Sequence, residues 1–221
     1  MPDSQTIIPG PHHLEVKALG AKRGDASLFS DLGFKVTDGE VLFLTGANGT
    51  GKTSLLYILA GLRMQDEGEV RWCSKSIDLL GKEYQQDLCF VGHQNGIKAE
   101  LTVFENLAGF RLLKVGNDEN TYDDQAIVDM LNLGGYEDTL CYQLSSGQQR
   151  RLSLARLIGS KQPLWILDEP FTALDKKTIT FFEQQIVDHA KAGGITVITS
   201  HQPLTLDGCT VKELKLDNTK Q

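Results

Sequence analysis

The glycine-rich segment Gly46–Thr53 has the spacing of a phosphate-binding loop, GxxxxGK[ST]. The apolar run Val41–Thr45 precedes it and the helical pattern Thr53–Leu62 follows it, which is the strand-loop-helix setting that this motif requires. Glycines let backbone N–H groups approach phosphate oxygens, and a helix N-terminus adds free N–H donors and a partial positive charge. The pattern therefore predicts a nucleotide site, which we expect to consist of Gly46, Ala47, Asn48, Gly49, Thr50, Gly51, Lys52, Thr53 and Ser54.

Two residues of this segment have side chains suited to the nucleotide's charge. We expect the Lys52 ammonium to reach the β- and γ-phosphates, and the Thr53 hydroxyl to hold Mg²⁺. Two carboxylate residues, Asp168 and Glu169, follow the apolar run Leu164–Leu167 directly. Successive strand residues point to opposite faces, so the two carboxylates can take different roles. One of them can bind Mg²⁺ through water, and the other can orient the attacking water as a general base.

The elements that must position these residues alternate along the chain. Apolar runs predict buried strands, and helical patterns lie between them. This alternation indicates an α/β fold with a mostly parallel sheet that is covered on both faces, and the phosphate-loop motif indicates a P-loop core. The predicted strands are Leu14–Leu19, Val41–Thr45, Leu88–Val91, Leu164–Leu167 and Thr196–Thr199.

The predicted domain organisation is one domain, residues 13–215, between a flexible tail at 1–12 and a short tail at 216–221. The core covers about 13–95 and 157–215, and residues of about 96–156 form a helical subdomain, because this segment contains helical patterns and no convincing strand.

Composition narrows the possible functions. The 221 residues are 40% hydrophobic and 23% charged, which is typical of a globular protein with a sizeable core. The net charge of −7 argues against non-specific nucleic-acid binding, which needs a basic surface. No apolar run approaches the roughly 20 residues of a membrane-spanning helix. The first residues also lack the pattern of a signal or transit peptide.

A third motif, Leu144–Arg150, lies between the phosphate loop and the carboxylate pair and reads LSSGQQR. With these three motifs in this order, the chain resembles an ATP-binding cassette (ABC) ATPase subunit over nearly its whole length. The resemblance implies a smaller antiparallel β part beside the mostly parallel sheet of the P-loop core, and a helical subdomain that carries the signature. It also implies ATP and Mg²⁺ as cofactors and a homodimer that encloses nucleotide between its subunits. It further implies that the signature segment of one subunit contacts the γ-phosphate held by the other. The residues in question are Ser145, Ser146, Gly147 and Gln148, with Ser146 in the place of a commoner glycine.

Further residues match family elements one by one. Gln94 resembles the glutamine that touches Mg²⁺ and water, so the implied metal ligands are Thr53, Gln94 and Asp168. Asp175 resembles the D-loop aspartate that crosses the dimer interface, and His201 the switch histidine at the γ-phosphate. Arg23 stands where the family usually has an aromatic residue that stacks on adenine, and this departure leaves the choice between ATP and GTP open.

The segment Gly92–Lys98, together with Phe171–Ala173 and His201–Leu204, is similar to the branch of the family that serves cytochrome c maturation as the haem exporter ATPase. That resemblance implies membrane partners of the kinds named CcmB, CcmC and CcmD, and no nucleic-acid partner. It implies a peripheral position on the cytoplasmic face of the inner membrane. The work done by ATP would be haem export or release of a haem-loaded chaperone.

Three alternatives remain at this point. The chain could serve another ABC importer or exporter, which only the softer segment Gly92–Lys98 argues against. A soluble ABC protein acting on DNA or ribosomes is disfavoured by the single phosphate loop, the acidic charge and the lack of sustained heptads after Lys52. A small-molecule P-loop kinase would not need the signature segment.

Overall fold

The computed structural model describes residues 11–113 and 123–217, and all structural statements concern these residues. The strands are β1 (His13–Arg23), β2 (Ala26–Thr37), β3 (Glu40–Thr45), β4 (Glu67–Trp72), β5 (Lys75–Ser76), β6 (Leu88–Val91), β7 (Leu164–Asp168), β8 (Ile195–Thr199) and β9 (Thr210–Lys215). The α-helices are α1 (Lys52–Leu59), α2 (Ile77–Leu80), α3 (Lys82–Gln86), α4 (Val103–Leu113), α5 (Asp124–Met130), α6 (Ser146–Leu154) and α7 (Lys176–Lys191). Short 3₁₀ turns cover Cys141–Gln143 and Ala155–Leu157.

The strands form two sheets. One has the order β6-β7-β8-β3-β9, and every neighbouring pair in it is parallel. The other has the order β2-β1-β4-β5 and is antiparallel. The predicted α/β class, with a mainly parallel sheet, a smaller antiparallel part and a helical segment, is confirmed.

The parallel sheet is covered on both faces, which is why its strands are continuous apolar runs. Along β7, Leu164 and Ile166 pack into one hydrophobic cluster with α1 and the antiparallel sheet. Trp165 and Leu167 point the other way, into a second cluster with α6, α7 and the helical segment. The alternation of strand side chains thus ties both layers to the same central strand.

Strand order decides which residues meet at the site. Because β7, β8 and β3 are neighbours, their carboxyl ends lie side by side. In the register, Asp168 at the end of β7 pairs with Thr199 at the end of β8. The phosphate loop leaves the end of β3, and ligands of open α/β sheets bind at this edge.

The predicted strands all exist, but four others were missed: β2, β4, β9 and the two-residue β5. Strand β9 is exposed at most of its residues, and β2 buries only Phe29 and Val36 among half-buried and exposed positions. Neither carries the buried apolar run that marked the central strands. Strand β4, Glu67–Trp72, begins with two exposed residues and buries only Val70 and Trp72.

Helix ends also differ from prediction. Helix α1 ends at Leu59 rather than Leu62, since Ala60 caps it and Gly61 takes a positive φ of 67°. Helix α4 begins with a capping box, in which Glu105 N–H donates to Thr102 Oγ1 and Thr102 N–H donates to Glu105 Oε2. No described helix has the length and apolar composition needed to cross a membrane.

Both predicted tails include residues that the fold holds in place. The His12 ring stacks on Trp72 with ring centroids 5.4 Å apart, and the backbone N–H of His12 donates to Asp38 Oδ1 at 2.8 Å. Leu216 is buried and donates its N–H to the carbonyl oxygen of Thr45. The rest of the predicted tails, residues 1–10 and 218–221, lies outside the described residues.

Candidate functional site

The phosphate loop connects β3 to α1 and depends on glycine geometry. Gly46, Gly49 and Gly51 have φ values of 140°, 86° and 98°, a region that side chains with a Cβ rarely adopt. At Gly46 a Cβ would lie 2.4 Å from the carbonyl oxygen of Leu216. Gly51 is the N-cap of α1, and no side chain caps it. The first N–H groups of this helix therefore remain available to an anion.

Polar side chains of the loop hold its own backbone. Thr50 is buried, and its Oγ1 donates to the carbonyl oxygen of Ala47 at 2.9 Å. Lys52 Nζ donates to the carbonyl oxygens of Gly46 at 2.7 Å and Ala47 at 3.1 Å. The ammonium group thus lies over the loop, at the place where phosphate oxygens would compete for it.

Asp168 is 2% exposed at the end of β7 and is held by a neighbour on β8. Thr199 Oγ1 donates to Asp168 Oδ1 at 2.9 Å and accepts the N–H of Glu169 at 2.9 Å. The other oxygen, Asp168 Oδ2, is buried and has no hydrogen-bond partner among the described residues. A buried carboxylate oxygen without a partner is costly, so this atom is suited to a cation or its water.

Glu169 lies in a tight turn and faces His201. Its φ of 48° is left-handed, which is uncommon for a residue with a side chain and often marks a functional position. His201 N–H donates to Glu169 Oε2 at 3.1 Å, and His201 Nε2 lies 3.5 Å from Oε1. Oε1 is buried and makes no hydrogen bond in the described structure, so it is free to accept one from a water molecule.

These groups border one cleft of about 460 Å³. Gln94, from the loop after β6, reaches the same cleft, as do His93, Leu28 and Tyr57. The predicted site residues that line it are Arg23, Asn48, Gly49, Gly51, Lys52, Thr53, Ser54, Gln94, Asp168, Glu169 and His201. The structure therefore brings together residues from the ends of four strands of the parallel sheet and from the antiparallel part.

The signature segment lies elsewhere. Ser145 caps α6 in a capping box, in which Gln148 N–H donates to Ser145 Oγ and Ser145 N–H donates to Gln148 Oε1. Ser145 and Ser146 are exposed, and the four signature residues do not line the nucleotide cleft. Gly147 packs on the D-loop region, since a Cβ there would lie 2.9 Å from the carbonyl oxygen of Ala173.

Asp175, the predicted D-loop residue, also lies outside the cleft and caps a helix. Its Oδ1 accepts the N–H of Thr178 at 2.9 Å at the start of α7. This backbone hydrogen bond is the main cause that lowers the pKa of the Asp175 carboxyl below its ordinary value. Arg151 Nη1 lies 3.7 Å from its other oxygen, so the signature helix and the D-loop are linked.

Comparison with known proteins gives the family. The family model described as ABC transporter matches residues 29–172, which is more than half of the chain. The chain belongs to the ABC transporter family. The match includes the phosphate loop, the signature segment and the carboxylate pair, and it identifies an ATP-hydrolysing, nucleotide-binding subunit.

Sequence identity to known relatives identifies the branch of the family to which the chain belongs. The chain is 45% identical over 206 residues to the "Cytochrome c biogenesis ATP-binding export protein CcmA" of Aliivibrio fischeri, covering 92% of this chain and 98% of that protein. It is 46% identical over 205 residues to the protein of the same name in Dechloromonas aromatica, covering 92% and 99%. This ABC ATPase is thus a member of the CcmA group, and the resemblance to the cytochrome c maturation branch is confirmed.

A solved structure supports the fold independently. The ATP-binding subunit of an ABC transporter superposes with a TM-score of 0.75 at 23% identity, covering 85% of this chain and 79% of that one. At this identity the likeness concerns the fold alone.

Sequence reasoning missed two residues that hold this site together, Thr199 and Arg150. Thr199 could have been found from its place at the end of an apolar strand, two residues before His201. Arg150 lies in the signature motif, but its side chain turns inward and makes contacts with distant segments that no local pattern indicates.

Proposed function

We propose that this chain is the ATP-hydrolysing subunit of a membrane ABC complex in cytochrome c biogenesis, and that it works as a dimer enclosing two nucleotides. The chain is 45% and 46% identical, over 92% of its length, to two proteins named for that process, and this supports the assignment. The observation that carries the chemistry is the cleft in which Lys52, Asp168, Glu169 and His201 converge.

ATP binding rests on the phosphate loop. The free N–H groups at the start of α1 and the Lys52 ammonium receive the β- and γ-phosphates, which the Lys52 side chain reaches by leaving the carbonyl oxygens of Gly46 and Ala47. Arg23 lies on the cleft wall with Leu28 and Tyr57, where its planar guanidinium can stack on the base. Stacking by an arginine does not by itself select ATP over GTP.

A divalent cation fits the residues of the cleft. No cluster of three or more His, Cys, Asp or Glu side chains that could hold an ion occurs in the described structure, so the ligands must include other groups. Thr53, Gln94 and Asp168 all line the cleft, and Asp168 Oδ2 has no hydrogen-bond partner among the described residues. We propose that these three residues would hold Mg²⁺, which would neutralise the charge that develops on the phosphates.

Hydrolysis rests on Glu169 and His201. Glu169 Oε1 accepts a proton from the attacking water as the water oxygen bonds to the γ-phosphorus. The bond to the bridging oxygen breaks, and its electron pair stays on ADP. The backbone N–H of His201 donates to the Glu169 carboxylate, and the His201 ring lies beside that carboxylate. From this position the ring can contact the γ-phosphate.

A second copy completes the site. The exposed N-terminus of α6 presents N–H groups and the Ser145 hydroxyl away from the chain's own cleft, at a helix end suited to a phosphate. In a symmetric dimer, Ser145, Ser146, Gly147 and Gln148 of one subunit close on the γ-phosphate of the other, and Asp175 lies at the interface. Closure of the cleft by a second subunit would exclude bulk solvent and leave the attacking water beside Glu169.

We further propose that the ATPase domain spans residues 13–215, and that its helical subdomain, about 96–156, transmits dimer closure to the membrane subunits. Residues of about 95–110 follow Gln94 directly, and Leu101 in this region and Leu112 just beyond it are exposed apolar side chains. They suit contact with membrane subunits resembling CcmB, CcmC and CcmD on the cytoplasmic face of the inner membrane. Haem export and release of a haem-loaded chaperone are both compatible with such coupling.

The test is affinity purification of tagged Glu169→Gln protein from detergent-solubilised membranes with ATP and Mg²⁺, followed by mass spectrometry. Recovery of CcmB-like and CcmC-like proteins supports the assignment. The Lys52→Ala protein serves as the control for nucleotide dependence. Recovery of another permease would contradict the cytochrome c role while leaving the ATPase intact, and recovery of ribosomal or DNA-bound partners would contradict both.

A further inference from the structure

The side chain of Arg150 makes an unusual set of contacts in the centre of the protein. Arg150 lies on the signature helix α6 but is only 4% exposed. Its Nε donates to the carbonyl oxygen of Pro170 at 2.8 Å, and its Nη2 donates to those of Asp168 at 3.1 Å and Glu169 at 2.7 Å. Three consecutive carbonyl groups of the catalytic turn are therefore bound by one guanidinium.

The same guanidinium also binds the loop that carries Gln94. Nη1 donates to the carbonyl oxygen of Gly92 at 2.9 Å and to Asn95 Oδ1 at 3.3 Å. These two residues flank Gln94 closely in sequence. Since a guanidinium has five N–H donors, every donor of Arg150 has an acceptor.

Burying the charged guanidinium of Arg150 costs desolvation free energy, which its hydrogen bonds must offset. Burial is the main cause that lowers the pKa of the Arg150 guanidinium below its ordinary value. Four of its five acceptors are backbone carbonyl oxygens, and the fifth is the side-chain amide oxygen of Asn95. Bonds from a charged donor to such groups are stronger than neutral ones and fix the geometry of each acceptor.

The catalytic turn needs this support. Glu169 has a left-handed φ of 48°, a conformation that persists only when the surroundings impose it. Its N–H is held by Thr199 Oγ1 and its carbonyl oxygen by Arg150 Nη2. The peptide groups on both sides of Glu169 are thus fixed, and with them the direction of its carboxylate.

We propose that Arg150 is a positioning residue for hydrolysis, which sets Glu169 and Gln94 in the nucleotide site of its own chain. This inference rests on the proposed roles of Glu169 and Gln94. It separates two functions within one helix: Ser145, at the start of α6, serves the partner's nucleotide, whereas Arg150, further along α6, serves its own chain's.

The first test compares rate with affinity in the Arg150→Gln homodimer. Because the phosphate loop is not among its contacts, we expect the affinity for ATP to stay within about threefold while kcat falls at least about tenfold. Arg150→Lys keeps the charge and three donors, so its kcat should be intermediate. Arg71→Gln, which alters a surface ion pair with Glu69 on the antiparallel sheet, is the matched control and should retain activity.

The second test asks in which chain Arg150 acts. Mixed dimers are purified through two different tags, with one chain carrying Ser145→Arg and the other Lys52→Ala. One working site remains: it uses the phosphate loop and Glu169 of the Ser145→Arg chain and the signature segment of the Lys52→Ala chain. Arg150→Gln is then added to either chain, and the ATPase rate is compared with that of the parental mixed dimer.

We expect the rate to fall at least about tenfold when Arg150→Gln is in the Ser145→Arg chain, and to change less than about threefold when it is in the other chain. An equal fall from both chains, or a fall only from the Lys52→Ala chain, would overturn the inference, because Arg150 would then act by supporting the signature helix.

Failure of the proposed function looks different from failure of this inference. If Glu169→Gln retained turnover, the role of Glu169 would be wrong whatever Arg150 did. If the parental mixed dimer were inactive, the shared-site arrangement would be wrong, and the split between kcat and affinity in homodimers would decide the role of Arg150. If Arg150→Gln did not fold, Arg150→Lys in the same two positions would serve, and a normal kcat in that variant with weakened ATP affinity would overturn the inference.

Discussion

The hydroxyl of Thr199 donates a hydrogen bond to Oδ1 of Asp168, 2.9 Å away, across the β7-β8 strand pair. The same hydroxyl accepts the N–H of Glu169. One buried side chain on β8 thus holds both carboxylate residues at the end of β7. The arrangement leaves Asp168 Oδ2 without a hydrogen-bond partner among the described residues, and Asp168 lines the same cleft as Lys52.

Replacing Thr199 by valine should disturb catalysis and stability together. The change keeps the shape but leaves a buried N–H and a buried carboxylate oxygen without a partner, which costs about 1–3 kcal/mol in free energy of unfolding. We expect kcat to fall at least about tenfold, because both carboxylate residues lose their support. Urea unfolding and steady-state ATPase assays measure the two effects. Thr199→Ser, which keeps the hydroxyl, should remain close to wild type, and an equally damaged serine variant would contradict the role of the hydrogen bonds.

Gly46→Ala should weaken nucleotide binding for a steric reason. A Cβ at this position would lie 2.4 Å from the Leu216 carbonyl oxygen, so the loop must shift. Gly135→Ala is the matched control, since Gly135 also has a positive φ, of 87°, but its Cβ would meet nothing within 4 Å. Both variants should lose about 1–2 kcal/mol of stability from the backbone conformation alone. Titration with a fluorescent ATP analogue should show weakened binding for Gly46→Ala only; equal affinities would contradict the tight-loop explanation.

The stability of the fold should depend on pH through His189. Its ring stacks on Trp165 with centroids 3.9 Å apart, and Nε2 lies 3.0 Å from the Gln162 carbonyl oxygen. Burial lowers the pKa of His189 to about 4 from an ordinary value of 6.5. The unfolded chain therefore binds more protons between these values, and the stabilising contribution is complete above pH 6.5 and is lost as the pH falls towards 4.

The size of this effect can be measured by urea unfolding at pH 7 and pH 5. From the two pKa values we expect His189 to account for a loss of about 2 kcal/mol in the free energy of unfolding over this interval. His189→Gln removes the titrating ring, so the variant should lose correspondingly less stability between the two pH values. An unchanged pH dependence in the variant would show that another group is responsible.

The shared nucleotide site makes a prediction about mixtures. Ser145→Arg should block hydrolysis while the monomer still binds ATP, and Lys52→Ala should weaken both binding and hydrolysis. Each homodimer is then inactive, but a mixed dimer retains one intact site. An equal mixture should regain roughly a quarter of wild-type activity, since half of the dimers are mixed and each has one working site. A mixture that regains nothing would contradict the assignment of Ser145 to the partner's nucleotide.

Much of the site could be predicted because its chemistry is local in sequence. The phosphate loop and the Asp168–Glu169 pair each follow a buried strand, and the apolar runs Val41–Thr45 and Leu164–Leu167 mark those strands without reference to the rest of the chain. The end-of-strand positions then follow from the general geometry of parallel sheets. The signature segment was recognised from its resemblance to a family, and the family match includes it.

Other features depend on contacts that the sequence does not display. Strand β9 exposes most of its side chains, so it is held by backbone pairing with β3 rather than by a hydrophobic run. Arg150 stands beside Arg151 in sequence, yet one is buried in backbone carbonyl oxygens and the other reaches the surface aspartate Asp175. Helical phase distinguishes them only once the position of the parallel sheet is known.

The central claim is that Glu169 activates water in a site closed by a second subunit. The most direct measurement is the ATPase rate of purified Glu169→Gln protein together with its mass in solution, with and without ATP and Mg²⁺. The account predicts that turnover falls by at least about 100-fold while ATP remains bound and the protein accumulates as a dimer with two nucleotides. Near-normal hydrolysis by this variant, or a monomer that binds ATP without dimerising, would contradict it.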